Sequence, residues 1–135
     1  MRDKIFLDSN VLIYSYSNSE LTKQSIARKI ITESHTFIST QVLQELTNTI
    51  TKKLKFSFRQ AESAIEECTN NSNVHANNVE TILHACRIAE KYLFSFYDSL
   101  IVSAAMECGC TILYLEDMQH GQKIEQTLTI LNPFL

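Results

Sequence analysis

Acidic side chains stand at four places in this chain where an apolar pattern stops or starts. Asp8 follows the uninterrupted run Ile5-Phe6-Leu7, and Glu116-Asp117 follows Ile112-Leu113-Tyr114-Leu115. Asp98 opens the apolar segment that runs to Cys108, and Glu45 lies at the border of the stripe Val42, Leu46, Ile50. Short apolar runs of this kind read as strands buried on both faces. The i, i+4, i+8 stripe and the longer apolar segment read as helices. In a right-handed α/β sheet, strand C-termini and the N-termini of the following helices share one edge, where ligands bind. Four carboxylates converging there would repel one another unless protonated or holding a cation. An all-oxygen donor set suits a hard ion, Mg²⁺ or Mn²⁺, whose usual work is phosphoryl chemistry. Each acid also has a plainer reading: Asp8 and Asp98 as helix caps, Glu45 as an ordinary surface residue.

The elements that must position these acids follow in alternating order. A strand ends at Asp8, and Ser9-Asn10 turns it into a short helix through Val11, Leu12 and Ile13. An amphipathic helix spans Leu21–Ser34, a strand Thr36–Ser39, and a helix about Gln41–Lys53, capped by Ser39 or Thr40. Ser57 and Gln60 form a capping box for a helix with Phe58, Ala61, Ile65 and Cys68 inward. Val74–Ala76 reads as a short edge strand. Asn77 and Glu80 open a helix to about Tyr92 that buries Val79, Ile82, Leu83, Cys86 and Ala89. The helix Asp98–Cys108 is apolar almost all round and must lie deep. Strands at Thr111–Leu115 and Leu128–Leu131 complete the order, which predicts a mainly parallel sheet of four to five strands between helical layers.

Composition narrows the class. The 135 residues fit one domain with a substantial core, and two glycines with one proline argue against an all-β fold of many tight turns. No apolar run approaches the ~20 residues that cross a bilayer, and the N-terminus leads directly into the first strand, so a cytoplasmic protein without membrane attachment is expected. Four cysteines do not require disulfides in a chain of this size, and Cys108-Gly109-Cys110 reads as a helix end followed by a buried strand, with no second Cys or His pair at zinc spacing. The net charge of −3 is not that of an obvious nucleic-acid binder, although a bound cation would offset an acidic site locally. Lys52, Lys53, Lys55 and Arg59 around Phe56 and Phe58 are the candidate contact to a phosphate backbone; the alternative is a solvated helix end.

The ordered set Leu7-Asp8-Ser9-Asn10-Val11-Leu12-Ile13-Tyr14, Ser39-Thr40-Gln41-Val42-Leu43-Gln44-Glu45-Leu46, Tyr97-Asp98-Ser99-Leu100-Ile101 and Glu116-Asp117-Met118-Gln119-His120-Gly121 resembles a PIN domain. The closing Leu131-Asn132-Pro133-Phe134 matches as well, so the resemblance covers nearly the whole chain. It is nearest the VapC-like branch, the toxin ribonucleases of bacterial toxin–antitoxin pairs. The resemblance implies a three-layer α/β/α fold and an acidic quartet, Asp8, Glu45, Asp98 and Asp117, that binds one or two Mg²⁺ or Mn²⁺ ions. It places Asn10 beside that quartet and Thr40 near it. It implies hydrolysis of an RNA phosphodiester leaving 5′-phosphate and 3′-hydroxyl ends, an antitoxin covering the crevice, and a homodimer. The family usually has Ser or Thr where this chain has Leu115, and often Trp where it has Tyr97. Two rivals remain. A haloacid-dehalogenase-like phosphatase would use Asp8 as nucleophile, but needs an acid where Asn10 stands. A catalytically silent binding module would keep the fold without its chemistry.

Overall fold

The computed structural model describes residues 2–135. Its elements are β1 (Lys4–Leu7), α1 (Ser9–Tyr16), α2 (Leu21–Glu33), β2 (His35–Ser39), α3 (Thr40–Lys52) and α4 (Phe58–Asn71), then β3 (Asn73–His75), α5 (Val79–Tyr92), α6 (Phe96–Glu107), β4 (Ile112–Tyr114), β5 (Lys123–Ile124) and β6 (Leu128–Leu131). The strands form one six-stranded sheet in the order β3-β2-β1-β4-β6-β5. All neighbours pair in parallel except β5, which runs antiparallel to β6. The sheet is flanked by helices, as an alternating order of strands and helices requires.

β1 is central because it is apolar on both faces. Phe6 and Leu7 are fully buried, and the strand pairs with β2 on one side and β4 on the other. The chain therefore leaves β1 for β2 on one side and later returns for β4 on the opposite side. Asp8 lies at this point of reversal, where a crevice opens outside the strand ends. α6 is buried from Ser99 through Ala105, and the small residues Ser99, Ser103, Ala104 and Ala105 permit that close packing. The Ser103 hydroxyl donates to the Thr81 carbonyl at 2.8 Å, docking α6 on α5.

Four expectations need correction. The buried face of α5 is Thr81, Ala85 and Ile88, whereas Val79, Ile82, Leu83 and Cys86 are exposed. Small Ala85 lets α5 approach α6 closely, and tertiary fit overrides the larger apolar stripe. Phe58 is 75% exposed: it is the first residue of α4, and the inward positions are Ala61, Ala64 and Cys68. α6 begins at Phe96 because the Ser95 hydroxyl accepts from the Asp98 N–H at 3.2 Å, so Ser95 and not Asp98 is the cap. The strand β5 was not expected, since two residues carry no periodicity to read.

Candidate active site

Asp8 occupies the position before α1 but makes no capping hydrogen bond. Its backbone is fixed instead, with its N–H donating to Tyr114 O and its carbonyl accepting from Val11 N, both at 3.1 Å. The side chain is thereby carried to the sheet edge, facing the N–H groups of Ser9 and Asn10. α3 starts with the Ser39 hydroxyl accepting from Val42 N at 3.3 Å, and its buried stripe Val42, Leu46, Ile50 turns Glu45 to the rim. Because Ser95 caps α6, the Asp98 carboxylate is also left free in the first turn.

All four acids line one cleft of about 320 Å³, together with Ser9, Asn10, Ile13, Asn48 and Thr49. The Asp8 pKa is pushed up to about 7: burial is the main cause, the nearby Glu45 and Asp98 charges add to it, and the N–H groups of Ser9 and Asn10 oppose it in part. The cleft is thus short of positive charge. As placed, no three Asp, Glu, His or Cys side chains among the described residues stand at metal-ligating distance from a common point. Like charges facing one another favour separated rotamers, and a shared cation removes that preference. The donor set is all oxygen, which fits Mg²⁺ or Mn²⁺ and not zinc.

The neighbours of the quartet are specific. The Asn10 amide donates to Asp117 Oδ2 at 3.3 Å. Gln41, which the sequence did not single out, donates to Glu45 Oε2 at 3.3 Å and to the Tyr97 carbonyl at 3.1 Å. It ties α3 to the start of α6, and its place one turn before Glu45 was the available signal. Thr40 lies outside the cleft lining; its hydroxyl accepts from Asn77 N at 3.2 Å and braces the connection into α5. Glu116 also lies outside the lining and pairs with Lys23 at 2.8 Å. Leu115 is buried in the core, so no hydroxyl reaches the acids from that position.

Lys52, Lys53, Lys55 and Arg59 are exposed, and none pairs with an acid among the described residues. Lys52 lines an open groove of about 610 Å³ between α3 and α4, with Leu43, Phe56 and Phe58. Asn48 lines both this groove and the acid cleft, so the two adjoin.

The family model of the PIN domain matches residues 5–122. The chain belongs to the PIN domain family. Among solved structures, this PIN domain is similar to a toxin–antitoxin complex from Klebsiella pneumoniae, with TM-score 0.73, 14% identity, and 96% of this chain and 97% of that chain covered. It is also similar to VapC20 of Mycobacterium tuberculosis, described as a sarcin–ricin loop cleaving toxin, with TM-score 0.70, 16% identity, and 84% and 89% covered. A DNA-bound VapBC from Salmonella typhimurium gives TM-score 0.65, 20% identity, and 94% and 96% covered. No curated protein sequence matches the chain significantly.

Proposed function

We propose that this PIN domain is a divalent-metal-dependent endoribonuclease, the toxin of a VapBC-type toxin–antitoxin pair acting in the cytoplasm. The observation that carries this reading is the convergence of Asp8, Glu45, Asp98 and Asp117 on one cleft from four separate elements. The fold neighbours, which are VapC toxins and toxin–antitoxin complexes, support the toxin role.

Asp8, Glu45, Asp98 and Asp117 would hold Mg²⁺ or Mn²⁺. When bound, such an ion supplies activation of water and stabilisation of charge on the phosphate and the leaving oxygen. Asp98 or Asp117 would orient the attacking water. Asn10 holds Asp117 and has no proton to trade, which disfavours the phosphatase reading that requires an acid at that position. Lys52, Lys53, Lys55 and Arg59 contact the RNA backbone beyond the cleft, from the side where Asn48 joins it to the α3–α4 groove. An antitoxin would cover the crevice with a basic residue facing the acids. A homodimer would cover the apolar residues Val79, Ile82 and Leu83, which α5 leaves in solvent.

The test is cleavage of RNA by the purified protein with Mg²⁺, with EDTA, and after Asp8→Asn. Metal-dependent cleavage by the wild type alone is expected. Equal cleavage by both proteins, with and without EDTA, would refute the nuclease assignment. Hydrolysis of p-nitrophenyl phosphate without RNA cleavage would favour a phosphatase. Growth arrest on induction, relieved by the product of an adjacent small gene, is expected for the toxin role, and no arrest would count against it.

A further inference from the structure

The segment that delivers Asp117 to the cleft has an unusual set of anchors. Regular pairing ends with Leu115 N–H, which donates to Leu131 O at 3.0 Å. Past that point the Glu116 carbonyl accepts from the Asn132 amide at 3.4 Å, and the Glu116 carboxylate takes two further bonds. The Tyr14 hydroxyl donates to Oε1 at 2.9 Å, and Lys23 Nζ donates to Oε2 at 2.8 Å. Lys23 also donates to the Tyr14 hydroxyl at 3.2 Å and sits 4.7 Å from the Tyr14 ring centre and 5.6 Å from that of Phe134. The Phe134 ring meets Tyr14 edge to face at 5.0 Å, and its N–H donates to Asn132 Oδ1 at 2.9 Å. Side chains from α1 and α2 thus close on the Glu116 carboxylate, while Asn132 holds its carbonyl and Phe134 packs on Tyr14 and Lys23.

The adjoining acids face opposite ways. Glu116 points into this cage, while Asp117 lines the cleft and receives the Asn10 amide. With Glu116 fixed at its own side chain and at its carbonyl, the next residue has little freedom to leave the cleft. We propose that Lys23 is a positioning residue of the active site: with Tyr14 it holds Glu116 out of the cleft and so keeps Asp117 in it. The claim deepens the metal-nuclease reading and rests on it, because Asp117 matters only if the cleft holds a cation. Such a cage acts on metal binding as residues behind metal ligands generally do.

The test compares wild type with Lys23→Met, Lys23→Arg and Tyr14→Phe, all in the full chain without RNA. Two quantities are read: amide hydrogen exchange over residues 115–119 against β1, and Mn²⁺ affinity by electron paramagnetic resonance. Lys23→Met is expected to speed exchange in 115–119 by about tenfold, leave β1 unchanged, and weaken Mn²⁺ binding by about tenfold. Lys23→Arg, which keeps the charge and the donors, should restore most of both, and Tyr14→Phe should give a smaller loss of each. A residue that only supports the fold would loosen β1 as well. Unchanged exchange at 115–119, or faster exchange there with Mn²⁺ affinity equal to wild type, would overturn the proposal. If the wild type itself takes up no Mn²⁺, the metal-nuclease reading and the positioning role fall together, while the exchange data still report whether Lys23 anchors the segment.

Discussion

Asp8→Asn should make the metal-free protein more stable, and the gain should depend on pH. The Asp8 pKa lies at about 7 in the folded chain against a usual 3.8, chiefly because burial disfavours its charge. The unfolded chain ionises near the usual value. Between these two values the folded protein holds a proton that the unfolded chain has released, so stability is greatest at low pH and falls as pH rises through 7. A rise of about three pKa units at about 1.4 kcal/mol each gives about 4 kcal/mol of destabilisation at pH 8. Asp8 is only half-buried, so about 2–3 kcal/mol is the better expectation, or a melting-temperature gain of about 8–12 °C for Asp8→Asn in a domain of this size. The assay is thermal or urea unfolding in EDTA at pH 8 and pH 5. The gain should fall to less than half at pH 5, where the folded carboxyl is protonated but the unfolded one is still mostly ionised, and Mg²⁺ should raise the stability of the wild type at pH 8 more than that of the variant. A variant no more stable than wild type at pH 8, or one whose gain is the same at both pH values, would show that the Asp8 charge carries no folding cost.

Three further outcomes follow from other parts of the structure. Asn10→Ala removes the donor to Asp117 Oδ2 and should weaken Mn²⁺ binding by about tenfold, with a stability change within about 0.5 kcal/mol, read by titration and by unfolding. Ile88→Ala should cost about 2–4 kcal/mol in urea unfolding of the monomer, whereas Ile82→Ala should cost under about 1 kcal/mol, because Ile88 is 2% exposed and Ile82 44%. Replacing Lys52 and Lys53 with Gln should reduce RNA affinity and lower the slope of log affinity against log salt by about one to two, measured with an RNA bound in EDTA.

The parts of the fold that were legible in the sequence are those where one signal dominates. Ile5-Phe6-Leu7 reads as a strand buried on both faces and the all-apolar segment after Asp98 as a deep helix, and both are found so. Ser57 with Gln60 forms the expected capping box. The face of α5 was not legible, because two apolar stripes compete on it and the choice was made by the fit of small Ala85 against α6. The same limit explains Phe58: an aromatic residue on the first turn of a helix can extend past the core it would be expected to fill. The four acids that the sequence pointed to line one cleft, but the side chains that hold them were not legible in it. Gln41 is marked locally only by its place one turn before Glu45, and nothing local marks Lys23 or Tyr14, whose partners are 93 and 102 residues away. Nor could the sequence foresee that Glu116 and Asp117, adjacent in the chain, face opposite surroundings.

If four dispersed carboxylates hold one centre of divalent charge, a crystal grown with Mn²⁺ and measured for anomalous scattering should show a peak in the cleft lined by Asp8, Glu45, Asp98 and Asp117, with their oxygens drawn in to about 2.0–2.4 Å of the ion. A peak elsewhere, or a cleft without one at millimolar Mn²⁺, would contradict it.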